Sequence, residues 1–144
     1  MIKQQLGTDS FLFSLSGVTT TAGATLDTAG ADYATIRIAF ASEITTDCVG
    51  PTISLLDNDT TVVSNFATAV ADRTAEDLTA AKVVTYHVDL RGGKRYLRLT
   101  VDPVGTAASD DAVTCAAIAT LSRQVEAPGA TTDMADAAVI VLPD

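Results

Sequence analysis

The chain has 144 residues and a mass of 14.8 kDa, a length that makes one domain and buries about two-thirds of its extended surface without metals or cross-links. Nine Lys and Arg against 18 Asp and Glu leave a net charge of -9. That balance disfavours phosphate contacts with nucleic acid and attraction to anionic membranes, and no apolar run approaches the roughly 20 residues of a spanning helix.

In chain order, residues 1–9 are polar and unpatterned and read as an N-terminal arm. They contain no apolar core of a signal peptide, so the chain is expected to be made in the cytoplasm. Ser10 to Val18 is the first strand expected, followed by turn residues from Gly17 to Gly23 and from Asp27 to Ala31. Asp32 to Phe40 then alternates cleanly: Ala34, Ile36, Ile38 and Phe40 share one face, and Tyr33, Thr35, Arg37 and Ala39 the other. A period of two is that of a strand buried on one side.

Further strands are expected at Thr52 to Leu56 and Thr60 to Asn65, separated by Asp57-Asn58-Asp59. Residues 67–81 resist the pattern. Thr74-x-x-Asp77 has a capping-box spacing among alanines, so a short helix or helical turn is expected near 74–81. Residues 83–91 alternate again (Val84, Tyr86, Val88 and Leu90 on one face), as do Arg95 to Val101 (Leu97, Leu99 and Val101). Gly92-Gly93-Lys94 between them reads as a hairpin in which glycines take positive φ. Ala112 to Leu121 is apolar on both faces, the mark of a central strand covered by a second sheet or by a neighbouring subunit. After a linker through Pro128 and Gly129, Ala137 to Leu142 is either the last strand of the same sheet or an arm added to a neighbour's edge. The expected architecture is all-β, an antiparallel β-sandwich over residues 10–126 with a C-terminal arm or last strand at 127–144.

Residues that carry chemistry elsewhere are sparse and poorly placed here. His87, the single histidine, falls mid-strand with no nucleophile elbow in the chain, which makes it a polar-face strand residue rather than a general base. Asp57-Asn58-Asp59 lacks the glycine and terminal Glu of a calcium loop and reads as an Asx turn; Ser109-Asp110-Asp111 reads as a solvated loop tip. Gly92-Gly93-Lys94 lacks the strand-to-helix setting of a phosphate loop. Cys48 and Cys115, with one His, are too few for zinc. They are read as reduced, buried small residues, the alternative being a disulfide between them formed after release into an oxidising medium. No catalytic, metal or cofactor site is assigned, and the chain is expected not to be an enzyme.

The segment Thr25-Leu26-Asp27-Thr28-Ala29-Gly30-Ala31-Asp32-Tyr33 resembles a turn-and-strand signature of tailed-bacteriophage structural proteins. Pro51 to Asp59, Lys94 to Thr106 and Arg123 to Pro128 follow in the order of the same pattern, so the resemblance spans about residues 20–128. The family is that of capsid decoration, or cement, proteins. It implies a jelly-roll-like β-sandwich without catalysis, added to the outer capsid surface of a virion and made in the host cytoplasm. The implied partners are the major capsid protein and further copies of the chain, as a homo-oligomer with a trimer favoured over a dimer. Residues 66–81 and those beyond 128 depart from the pattern. The alternatives are a phage tail or fibre component and a carbohydrate-binding β-sandwich module; the latter would have only Tyr33, Tyr86 and Tyr96 for sugar stacking and no Trp.

Overall fold

Two-residue alternation decides the architecture, because each strand has one apolar face to bury and the cheapest way to bury it is against a second sheet. The computed structural model describes residues 7–42, 51–67, 69–74, 81–103, 112–123 and 137–141. Nine strands lie among them: β1 Gly7–Val18, β2 Ala22–Asp27, β3 Tyr33–Phe40, β4 Thr52–Asn58, β5 Ala69–Thr74, β6 Lys82–Asp89, β7 Tyr96–Asp102, β8 Val113–Ser122 and β9 Ala137–Val141. One sheet has the order β1-β8-β3-β6-β9 and the other β2-β7-β4-β5. All pairings are antiparallel except that of β6 with β9. Setting β9 aside, 1-8-3-6 over 2-7-4-5 is the strand order of a jelly roll, the all-β sandwich that the sequence pattern leads one to expect.

The core lies between the sheets. Ile36, Ile38, Val84, Tyr86, Val88 and Ala117 from the larger sheet meet Leu26, Ile53, Leu55, Leu97, Leu99 and Val101 from the smaller one, and none is more than 8% exposed. Most are inward positions that alternation selects on β3, β6, β7 and β8; Ile53 and Leu55 come from β4 and Leu26 from β2.

Gly92-Gly93-Lys94 is not a hairpin. β6 pairs with β3 and β9, while β7 pairs with β2 and β4 in the other sheet, so the turn carries the chain across the sandwich. In a jelly roll most consecutive strands alternate between sheets, and here only β4 and β5 are paired neighbours in sequence. Neither glycine takes positive φ; among the described residues that conformation belongs to Gly17 (φ 61) and Gly30 (φ 80).

Thr60 to Asn65 is likewise not a strand. The Asn58 amide donates to the Asn65 carbonyl (2.6 Å), and its carbonyl oxygen accepts from the Thr60 backbone N–H (3.1 Å). This closes residues 58–65 into a loop that ends in a 3-10 turn at Val63–Asn65. Two strands escaped the sequence pattern. β2 is short and built of Ala, Gly and Thr, with Leu26 its single large apolar residue, and β5 begins inside the Ala- and Thr-rich stretch read as irregular. The helical turn near 74–81 falls largely on residues 75–80, outside the described residues. Ala137–Val141 adds to this chain's own sheet, parallel to β6 in the register Thr85↔Ala137 to Asp89↔Val141.

Candidate functional site

The segment that carries the family resemblance builds a corner of the sandwich. Thr28 is buried; its backbone N–H and its hydroxyl both donate to the Arg95 carbonyl (2.9 and 2.6 Å). Asp27 accepts from the Ala29 N–H at 3.0 Å, and its carboxylate takes a two-pronged contact from the Arg95 guanidinium at 3.0 and 2.8 Å. Gly30 supplies the positive φ that turns the chain into β3. The Leu90 N–H then donates to the Asp32 carbonyl, which ties the β2–β3 and β6–β7 crossovers together. These residues are conformational devices: they fix where two inter-sheet connections meet. Hydrogen bonding to Arg95 and to the Ala29 N–H holds the Asp27 carboxyl below the usual carboxylate range.

His87 lies on the outer face of the larger sheet, in a row of directly opposed residues Asp9, Thr120, Thr35 and His87. Its Nδ1 is 3.2 Å from the Thr35 hydroxyl. Burial, and secondarily the Arg37 cation, hold its pKa below the ordinary histidine value, so the imidazole is neutral at pH 7. Among the described residues no carboxylate hydrogen-bonds this imidazole; Asp9, in the same row, bonds the Thr120 hydroxyl instead. Asp57 and Asp59 accept from the backbone N–H groups of Lys94 (3.4 Å) and Arg95 (3.5 Å), so the Asp-Asn-Asp turn buttresses the crossover. Among the described residues no group of His, Cys, Asp or Glu could hold a metal ion.

Cys115 is a buried free thiol on the inner face of β8, and burial pushes its pKa up to about 11. Cys48 and the acids Asp110 and Asp111 lie outside the described residues. Tyr33 and Tyr86 are buried at 1% exposure, and Tyr96 has the Arg95 guanidinium 5.0 Å from its ring centre, so none of the three offers a bare ring for stacking. One open cavity of about 400 Å³ is lined by Thr8, Gly30, Ala31, Leu121, Ser122 and Arg123. The Arg123 guanidinium is turned onto the Gly30 carbonyl, and these residues include no acid–base pair.

The surface feature that sequence reading did not single out is the outer face of the larger sheet. One row across it runs Phe11, Ile118, Arg37 and Thr85, and the next runs Ser14, Ala116, Ala39 and Val83. Phe11 is 69% exposed, Val83 52% and Ile118 44%. Neither row contains an acid. The described aspartates lie instead at turns and strand ends, such as Asp27, Asp57, Asp59, Asp89 and Asp102, or border the patch at Asp9. Arg91, Arg95, Arg98 and Arg123 each bond a neighbour. Arg37 alone among the described arginine side chains makes no hydrogen bond or ion pair. The outer face of the smaller sheet differs: it carries Asp27, Tyr96, Arg98 and Asp102 at matched positions. The signal was present in the two-faced apolar pattern of β8, but only the pairing register shows which residues extend it.

No protein-family model matches the chain, and no curated protein matches it in sequence. Solved structures resemble it in outline. The Tobacco streak virus coat protein is 12% identical with a TM-score of 0.39, over 94% of this chain and 96% of that one. Infectious bursal disease virus VP2, in a subviral particle, is 12% identical with a TM-score of 0.43, over 85% of this chain but only 33% of its own length. A structure described as "CBM4 structure and function" is 11% identical with a TM-score of 0.41, over 82% of this chain and 71% of that one. Likenesses of this size are to the layout of a β-sandwich and assign no role. Among the described residues no helix is long and apolar enough to cross a membrane.

Proposed function

We propose that the chain is a non-enzymatic structural protein of a virus particle, a head decoration protein that binds the outside of a tailed-phage capsid and stabilises it. The observation that carries this reading is the separation of charge on the described surface. Acids such as Asp27, Asp57, Asp59 and Asp102 sit on turns and strand ends, whereas two adjacent rows on the outer face of the larger sheet, with Phe11, Ile118, Ala116 and Ala39, carry no acid, and Asp9 only borders them. Mutual repulsion among acidic turns keeps a dense outer layer of copies soluble, and a flat acid-poor face can lie against another protein without desolvating carboxylates.

Stabilisation then follows from mass action, because a protein that binds the assembled lattice better than its free subunits shifts the equilibrium toward the lattice. Ala and Thr lose little side-chain entropy on docking. The jelly roll suits the role, since viral capsid and lectin domains both use it, but a fold alone does not assign a function. The ordered motifs between Thr25 and Pro128 tip the balance toward the virion. The partners on this reading are the major capsid protein and further copies of the chain.

Quantitative mass spectrometry of purified particles of the source virus tests the reading. Hundreds of copies per particle are expected. Absence from particles ends the reading, and a handful of copies assigns the chain to a tail or fibre instead. A glycan array is expected to give no hits, since two of the three tyrosine rings are buried.

A further inference from the structure

The outer face of β8 is bare in the single chain: Thr114, Ala116 and Ile118 are exposed although β8 is a central strand. Its two-faced apolar pattern calls for a cover on both sides. The sandwich core supplies only one of them.

We infer that this face is covered by a second copy of the chain, packed face to face about a two-fold axis that runs parallel to the strands along the β1–β8 seam. The register supports that choice of axis. Rotation about it lays β1 over the partner's β8 and leaves every row opposite itself, so Phe11 sits on the partner's Ile118 and Ile118 on the partner's Phe11. The exposed aromatic ring of each copy thereby finds the exposed aliphatic side chain of the other. Ala116 and Ser14 meet in the next row, and side chains this small let the sheets approach to the ordinary spacing of about 10 Å.

Charge fits the same arrangement. β3 then lies one strand beyond the partner's β1. Arg37 and the partner's Asp9 are offset by one strand spacing and two residues, about 8 Å in projection and about 13 Å between Cα atoms across a sheet spacing of about 10 Å, a gap closed when the arginine and the aspartate both extend toward each other. Among the described residues Arg37 makes no hydrogen bond or ion pair. Asp9 is exposed, with one carboxylate oxygen taken by the Thr120 hydroxyl at 2.6 Å and the other open. Two such ion pairs, related by the axis, would frame the apolar centre. Elsewhere the described surface presents aspartates, so two copies of a chain with net charge -9 meet there with more repulsion.

The face buries on the order of 400 Å² per copy, below the roughly 1,200 Å² total of a stable interface. The dimer is therefore reversible, filling at high protein concentration. This inference does not rest on the virion reading, though it occupies the face which that reading offers to a protein partner, and it departs from the trimer that the family resemblance favours.

Sedimentation equilibrium of the full chain from about 10 µM to 1 mM tests it. The weight-average mass is expected to rise with concentration from 14.8 kDa toward twice that value. Arg37→Asp, which sets a carboxylate against the partner's Asp9, and Phe11→Ser, which removes the ring, should each weaken association at least tenfold with an unchanged far-ultraviolet spectrum. The charge-swapped double variant Asp9→Arg with Arg37→Asp should restore it. A mass of one chain at every concentration overturns the inference. So do a trimer, wild-type association of either single variant, or no recovery in the double variant.

Discussion

Truncating one aliphatic residue on each face of the sandwich separates core from surface. Leu99 on β7 is 2% exposed and packs between the sheets, whereas Ile118 on β8 is 44% exposed and points away from them. Leu99→Ala removes buried methyl groups and leaves a cavity that the opposing sheet cannot fully close, which costs about 3 kcal/mol. Ile118→Ala removes a similar volume, but nearly half of that surface already meets water and no enclosed cavity forms. Its cost is about 1 kcal/mol. Urea unfolding at low protein concentration, followed by circular dichroism, measures both. With a slope near 2 kcal/mol/M, Leu99→Ala should lower the midpoint by about 1.5 M and Ile118→Ala by about 0.5 M. Equal losses would mean that the outer face of β8 is as enclosed as the core, and the assignment of faces would be wrong. A changed slope would point to the denatured state instead.

The remaining predictions concern the crossover corner and the thiol. Thr28→Val deletes the hydroxyl that donates to the Arg95 carbonyl and should cost about 1 kcal/mol in the same assay; no loss would remove that bond from the stability of the corner. Gly30→Ala forces a Cβ into positive φ and should cost about 1–2 kcal/mol, and a neutral result would mean that residue 30 is not left-handed. Hydrogen bonding to Arg95 lowers the Asp27 pKa, so this carboxylate favours the fold above its ordinary titration range and loses that contribution as pH falls through its folded value. Arg95→Gln should therefore move the Asp27 midpoint, read by NMR, up toward 3.8; an unmoved midpoint refutes the pairing. In a Cys48→Ser background, Cys115 with its thiol at about 11 should resist a thiol reagent at pH 8 and react promptly in denaturant. Rapid native labelling would place it outside the core.

Some elements could be read from local pattern because the cause is local. Alternation in Tyr33–Phe40, Lys82–Asp89 and Tyr96–Asp102 names the inward residues, since a strand's side chains must point to opposite faces whatever it pairs with. Val113–Ser122 was legible as a central strand for the same reason. β2 and β5 were not, because Ala, Gly and Thr give weak alternation, and such strands are held by their partners rather than by their own propensity. The outer-face patch was half legible: β8 shows an apolar second face, but Phe11, Ala39 and Val83 join it only through pairing register.

Taken alone, the amino-acid order determined the class of the fold, an acidic all-β chain with its charge in the turns and its apolar residues at period two. Those properties depend on neighbours a few positions apart. The tertiary structure decided which strands share a sheet. The two-glycine turn at Gly92-Gly93 looks like a hairpin to any local rule, yet it is a crossing between sheets, because a jelly roll buries both of its flanking strands only when they lie on opposite sides of the core. The same long-range pairing brings Phe11 beside Ile118, 107 positions apart in the chain, and sets Arg37 next to Ile118 in the same row. Contacts of that sequence separation come from closing the whole sandwich, and no local pattern encodes them.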